Sequence, residues 1–269
     1  MTLRIIPTHT PRLTAQISGA IATVMINNPA RRNCVDLATW QAFPPLFAAL
    51  NMERALRVIV LRGAGDEAFC AGADITEFET TRATADSSRA YEAANVAAFD
   101  AVAQARMPVI ALIHGFCFGA GMGLAAACDL RLAAEDATFA IPAALLGVSY
   151  PPTALASLVA LMGAPNVKRL FFTAERLDAQ AALQAGLISE VWPKAALEEA
   201  VTALAARITE GAPLTITAAK RAIDAAAHLP GALDLQALQA LADACFASAD
   251  YAEGRAAFRA KRKPIFRGE

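Results

Sequence analysis

The apolar positions change their period a little past the middle of the chain. Up to about residue 150 they come in short runs. Residues 13–18 and 21–27 alternate apolar and polar on either side of Gly19-Ala20, the pattern of a hairpin with one wet face. Asn28-Pro29 closes the second run. Asp36 offers an N-cap for a helix reaching about Met52, and Pro44-Pro45 inside that stretch predicts a kink or two pieces, because each proline removes a backbone donor. Residues 57–61 (RVIVL) and 109–113 (VIALI) are short β-branched runs, suited to buried strands. A long polar loop is expected after the first of these. Helices are expected over about 88–105 and 119–127, and a further strand over 129–133. This alternation predicts an α/β core of parallel strands crossed by helices.

After about Pro151 the pattern turns helical. Ala, Leu, Glu, Lys and Arg recur at helical spacing, broken at Gly163, Gly186, Gly211 and Pro230-Gly231. Residues 188–192 are the sole strand candidate there. The C-terminal third is therefore expected to be mainly helical, with its last helices packed outward against a partner.

Composition sharpens that expectation. Apolar residues make up 56% of the chain and charged residues 18%, so some apolar surface is expected to be hidden in an oligomer. The 24 basic and 25 acidic residues nearly cancel, which leaves no field to draw nucleic acid or an anionic membrane. The cluster Lys261-Arg262-Lys263 with Arg267 is too short for a nucleic-acid partner; it reads as a solvated helix end or a local anion site. Five cysteines (Cys34, Cys70, Cys117, Cys128, Cys245) form no CxxC pair, and the first eleven residues carry no secretion pattern. A reduced, cytoplasmic setting follows, with no metal site. Residues 109–128 are apolar and long enough to suggest a membrane span, but Pro108, His114 and four glycines divide them into strand, loop and helix.

Two stretches of small residues carry the candidate chemistry. One is Phe69-Cys70-Ala71-Gly72-Ala73-Asp74-Ile75; the other is His114-Gly115-Phe116-Cys117-Phe118-Gly119-Ala120-Gly121-Met122-Gly123. Each follows a buried strand, and each lets a ligand approach bare backbone N–H groups. Two such loops can give one N–H each to a single oxygen, an oxyanion hole. The same residues also suit two tight turns with close helix–sheet packing. Gly121-Met122-Gly123-Leu124-Ala125-Ala126 fits the dinucleotide-binding spacing, but its first glycine stands several residues beyond the strand, and this excludes that use.

Taken together, these stretches resemble the signature segments of the enoyl-CoA hydratase/isomerase (crotonase) superfamily. Asn28-Pro29-Ala30-Arg31-Arg32-Asn33, Cys128-Asp129-Leu130-Arg131, Ala185-Gly186-Leu187-Ile188 and the C-terminal Phe258-Arg259-Ala260-Lys261-Arg262-Lys263-Pro264-Ile265-Phe266 are similar to further family motifs, in the family's order. The resemblance implies a crotonase-like spiral of ββα units over 1–200 and a helical trimerisation region over 201–269, in a trimer or a dimer of trimers. It implies an acyl-CoA thioester as substrate, with coenzyme A carried as part of that substrate and no separate cofactor. Its carbonyl oxygen would meet the N–H groups of Ala73 and Ala120. The CoA portion would run along Ala71, Asp74 and Ile75. Arg32 is a candidate partner for the CoA phosphates or a plain surface charge. Lys261 matches a family position that reaches CoA, as does Phe258, which suits the core equally.

The departures from the family pattern bear on the reaction. The two positions at which hydratases carry glutamate are Gly123 and Ala143. Addition of water needs positioned acid and base groups, so hydration is not expected, and isomerisation is weakened. Leu146-Gly147-Val148-Ser149-Tyr150 resembles a stretch of methylmalonyl-CoA decarboxylase, a member of the same superfamily. Tyr150 is thereby a candidate catalytic residue, or else a wall of the acyl pocket. Decarboxylation of a malonyl-type thioester needs an oxyanion hole and an apolar pocket, and no base to start. A CoA-thioester binder without catalysis is the alternative from a different class. Ser149, Thr76, Glu77, Glu79 and Cys70 are further polar groups near the loops, with Glu77 and Glu79 expected in solvent.

Overall fold

The computed structural model describes residues 3–146, 150–228, 240, 243, 244 and 248–269. Strands β1 (Leu3–Ile6), β2 (Leu13–Ser18) and β3 (Ile21–Ile26) form an antiparallel meander, with Ser18 opposite Ile21 across the Gly19-Ala20 turn. Four parallel strands continue the sheet: β4 (Val58–Gly63), β6 (Val109–Ile113), β8 (Leu130–Ala134) and β11 (Glu190–Trp192). The seven lie in the order β1-β2-β3-β4-β6-β8-β11. The expected hairpin and buried strands are all present.

A second, smaller sheet was not anticipated. It contains β5 (Ala68–Cys70), β7 (Phe116–Phe118), β9 (Thr138–Ala140) and β10 (Leu177–Asp178), in the order β10-β9-β7-β5. These strands are two or three residues long, too short for an alternating pattern to declare itself. Three of them lie where only loop was expected, and β10 adds a second late strand. They make the architecture a repeat: β4 leads to β5, β6 to β7 and β8 to β9, each pair followed by helix. This is the spiral of ββα units.

Helices enclose the inner face. The first, α1 (Leu37–Met52), starts where Asp36 accepts a hydrogen bond from Thr39 N–H. It runs through Pro44-Pro45 as one helix, so of the kink or two pieces expected there the two pieces are ruled out. Trp40, Phe43, Phe47 and Leu50 are fully buried along it, and the stacked rings of Trp40, Phe43 and Phe47 pack on either side of the prolines. A short α2 (Phe78–Thr81) precedes α3 (Ala85–Ala103). The latter begins three residues earlier than expected, at a reciprocal Thr84–Ser87 cap. Then follow α4 (Ala120–Ala127), α5 (Ala143–Leu146) and α6 (Pro152–Thr173). By length and composition α6 is apolar enough to cross a membrane. However, Gly163 leaves helical geometry at φ 73°, and each half, at about 1.5 Å per residue, spans only about 16 Å of a hydrocarbon layer near 30 Å thick.

The outer face is covered by α8 (Leu197–Thr209), which follows α7 (Ala179–Gln184). Leu197, Val201 and Ala205, one helical face, pack on Val58, Val60, Ile110, Leu112 and Leu132. The alternate residues of β4 and β6 face the inner core, so residues 58–61 and 109–113, covered on both faces, must be apolar throughout. Next, α9 (Pro213–His228) is tied to the sheet by the buried Lys220, 2.8 Å from Asp129. The last described helix is α10 (Ala249–Ala260). The expected break at Pro230-Gly231 lies outside the described residues, as does Cys245.

Candidate functional site

The two small-residue loops lie against each other. A Cβ built on Gly72 would stand 3.1 Å from the Phe118 carbonyl oxygen and 3.6 Å from Ala120 N. Gly72 also has φ of +105°, so two separate constraints keep a side chain out. The second loop approaches as closely: a Cβ on Gly121 would lie 2.3 Å from the Cys70 oxygen.

Backbone pairing aims the first loop. Val35 donates to the Gly72 oxygen at 2.9 Å, and Asp74 N–H donates to the Val35 oxygen at 2.9 Å. Groups on either side of Ala73 thus point at Val35. In extended backbone the N–H and C=O of Ala73 itself then point the other way. At the second loop, Ala120 is the first residue of α4, where a helix leaves its N–H groups unpaired. Among the described residues no backbone carbonyl accepts from Ala73 or Ala120, and both residues are partly exposed. Two free donors on touching loops, one at a helix N-terminus, can hold a partially negative oxygen.

Tyr150 reaches this assembly from the other side. Its hydroxyl donates to the Gly119 carbonyl at 3.0 Å, immediately before Ala120. Its ring meets Phe171 edge to face, with centroids 5.8 Å apart. Burial raises its phenol pKa, against the influence of the nearby Gly123 amide. The group stays protonated, as a donor to a carbonyl must. Gly147, Val148 and Ser149, which carry part of the decarboxylase resemblance, lie outside the described residues.

The two positions without glutamate are apolar in their surroundings. Gly123 is buried, and a Cβ there would meet the Phe99 ring at 2.6 Å. Ala143 is buried within the core. Phe99 escaped the sequence reading; nothing in the pattern of α3 distinguishes it from an ordinary core residue.

The polar residues near the first loop are engaged internally. Arg31 Nη1 contacts both Asp74 oxygens, at 2.9 and 2.8 Å, and Thr76 Oγ1 at 2.8 Å. Burial pushes the Asp74 carboxyl up, but bonds from Thr76 and Arg31 outweigh it and hold the group below its ordinary value. Glu77 corrects the expectation of a solvated side chain: half-buried, it accepts from Leu37 N–H at 2.8 Å and caps α1. Glu79 is exposed, as expected. Burial pushes the Cys70 thiol up to about 12, so it remains a thiol. Asn33, read from the sequence only as the end of the Asn28–Asn33 motif, donates to the Ala64 and Ala68 oxygens at 3.0 and 2.7 Å and holds the foot of the loop.

The structure therefore brings Ala71, Ala73, Asp74, Ile75, Ala120 and Tyr150 together. Arg32 joins them through its backbone oxygen, which accepts from Ala71 at 2.9 Å. Its side chain pairs with Glu67 at 2.8 Å and lies over the Phe116 ring. Lys261 has no described contact with them. It is exposed on a C-terminal segment whose neighbours donate to and accept from Glu210 and Arg57. Arg57 precedes β4 and the loops follow it, so about 20 Å of strand intervenes at about 3.3 Å per residue. The Phe258 side chain lies outside what the structure describes. Among the described residues no group of three His, Cys, Asp or Glu could hold a metal ion.

A family model for enoyl-CoA hydratase/isomerase matches residues 16–269. The chain belongs to this family, within the crotonase superfamily. It is 31% identical over 259 residues to a peroxisomal Delta(3,5)-Delta(2,4)-dienoyl-CoA isomerase of Arabidopsis thaliana, covering 92% of this chain and 93% of the relative. To a crotonyl-CoA hydratase of Syntrophomonas wolfei it is 32% identical over 250 residues, covering 91% and 94%. Among solved structures, an enoyl-CoA hydratase/carnithine racemase from Magnetospirillum magneticum superimposes with a TM-score of 0.90 at 36% identity, over 97% of each chain. The family member has the expected spiral fold.

Proposed function

We propose that this family member is an enzyme that stabilises the enolate of an acyl-CoA thioester, and that it does so without the two-glutamate chemistry of a hydratase. The observation that carries the reading is the meeting of the two loops, with the unpaired N–H groups of Ala73 and Ala120 on either side. As negative charge develops on the thioester oxygen, two fixed donors lower its energy without reorganising. Charge on the oxygen is common to every reaction that passes through a thioester enolate, so the hole alone does not choose among them.

What surrounds the hole favours decarboxylation of a malonyl-type thioester as the second, finer reading. Gly123 and Ala143 carry no acid or base where water addition would need both, and they lie buried, Gly123 against the Phe99 ring. In decarboxylation the electrons of the breaking C–C bond pass into the enolate, carbon dioxide leaves, and the α-carbon then takes a proton from water, releasing hydroxide. An apolar wall disfavours the bound carboxylate more than the neutral product. The CoA portion follows the Ala71–Ile75 loop, beside Arg32. Lys261, exposed on the C-terminal segment, belongs to this reading as a contact to CoA supplied by a neighbouring copy in a trimer or a dimer of trimers.

Mass spectrometry of a mixed pool of enoyl- and malonyl-type CoA esters, incubated with the purified protein, tests this. Loss of carbon dioxide from a malonyl ester is the expected result. Gain of water on an enoyl ester would overturn the claim about the glutamates. Binding with no change in any thioester would favour a non-catalytic binder.

A further inference from the structure

We infer that Tyr150 is a positioning residue, which aims the Ala120 N–H by holding the carbonyl of Gly119. The inference rests on the oxyanion reading above and assigns Tyr150 a task other than touching substrate.

The argument begins with one peptide unit. The Gly119 carbonyl and the Ala120 N–H belong to the same planar trans amide, so they point in opposite directions. Whatever fixes the oxygen also fixes the hydrogen. This oxygen is held from two sides: from within the first turn of α4, where Met122 N–H donates at 2.9 Å and the helix ladder begins on the N-cap carbonyl, and from outside the helix by the Tyr150 hydroxyl at 3.0 Å. The first alone leaves the plane able to rock with the helix end. The second ties it to α6, because Tyr150 stands just before that helix and its ring rests on Phe171 within it.

The conformation of Gly119 explains why such a tie is needed. Its φ of 50° and ψ of −121° lie outside the helical region, and a glycine there has the widest choice of alternatives. Gly119 N–H is held by the Ala140 oxygen at 2.8 Å. One side of the residue is thus fixed by β9 and the other by Tyr150, and the oxyanion donor follows directly. A hydrogen bond on the carbonyl also polarises the amide and strengthens the N–H on its far side.

The test is the carbonyl stretch of a carbon-13-labelled thioester, bound as acetyl-CoA, read by isotope-edited infrared spectroscopy. Two donors on the oxygen lower that frequency. Tyr150→Phe removes one oxygen atom and keeps the ring. We expect the variant to bind acetyl-CoA with unchanged affinity but to lose part of the frequency shift, about 10–30% from depolarisation alone and more where the amide rocks. Turnover should fall through kcat with KM preserved. An unchanged shift in the folded variant would overturn the inference and leave the oxyanion hole standing. No shift in the unaltered protein with acetyl-CoA bound would overturn the hole itself, and the inference with it. Should Tyr150→Phe fail to fold, ring fluorination at Tyr150 retains the packing and makes the hydroxyl a stronger donor. A deeper shift is then expected, and a shallower or equal one rejects the tie.

Discussion

The two loops of the candidate site reach the same geometry by different means. The first, around Ala73, is held by a backbone bridge to Val35 and surrounded by polar side chains: Arg31, Asn33, Asp74, Thr76 and Glu77. The second, around Ala120, has almost no polar side chains. It is held by small residues that allow backbone to touch backbone, by the Ala140 oxygen and by the Tyr150 hydroxyl. A loop fixed by a bridge can lose a side chain and stay in place. A loop fixed by the absence of side chains is spoiled by adding one atom.

The largest effects are therefore expected at the second loop. Ala120→Pro deletes the donor itself and leaves the Ala73 donor intact. Loss of one oxyanion donor typically costs about 3 kcal/mol, or about 10²–10³ in turnover. Proline is tolerated at the first position of a helix, so the variant should fold and still bind a thioester. Steady-state kinetics on whichever thioester is turned over checks this; wild-type turnover by the folded variant would remove Ala120 from the hole.

Gly121→Ala comes next. Its methyl group would sit 2.3 Å from the Cys70 oxygen and 2.9 Å from the Cys70 Cβ, in contact with buried backbone on the opposing loop. The loops must part, at a cost of about 1–3 kcal/mol of stability, and turnover should fall with it because the donors separate. Chemical denaturation together with kinetics reads both. A destabilised variant with full activity would mean that the contact serves folding only.

Much of this comparison was legible in the sequence, and the missing parts share a cause. The buried strands β4 and β6 declared themselves because α8 covers their outer face and makes residues 58–61 and 109–113 apolar throughout. The loops declared themselves by their run of Gly and Ala. What stayed hidden depended on distant partners. Strands β5, β7, β9 and β10 are shaped by pairing with one another, and two or three residues hold no period. Glu77 reads as a surface acid until α1 is seen to end on it. Tyr150 was singled out from its local stretch, but its partner is a carbonyl on another element, and no local pattern reports that. Phe99 fills the space beside Gly123 from across the α3–α4 contact.

A smaller effect is expected on the polar side of the first loop. Asp74→Ala deprives Arg31 of its carboxylate and Thr76 N–H of its cap. Arg31 is half exposed, so water replaces the lost partner. The loss of stability should be about 1 kcal/mol, the usual size for a cap. Turnover should change only a few-fold, since the Val35 bridge still aims Ala73. A drop as large as that of Ala120→Pro would show that the bridge alone does not hold the loop.

The feet of the two loops give the last and smallest contrast. At the first, the Asn33 amide is fully used by Ala64 and Ala68. At the second stands His114, which is buried, its two ring nitrogens having no hydrogen-bond partner. Burial lowers its pKa, helped by the neighbouring charges of Arg62 and Lys194 and opposed by Glu198 and Asp136. The folded protein therefore binds this proton less readily than the unfolded chain does. Stability contributed by the neutral ring is complete above the unfolded value, about 6.5, and is lost as pH falls towards the lower folded value. His114→Gln removes the titration while keeping a polar side chain of similar reach. The variant need not be more stable at pH 7. Its melting temperature should, however, fall less steeply than that of the parent between pH 6.5 and the acid limb, with no corresponding change from an Asn33 substitution. Parallel slopes for parent and variant would mean that His114 finds a partner when it charges, and that the two feet are equally well satisfied.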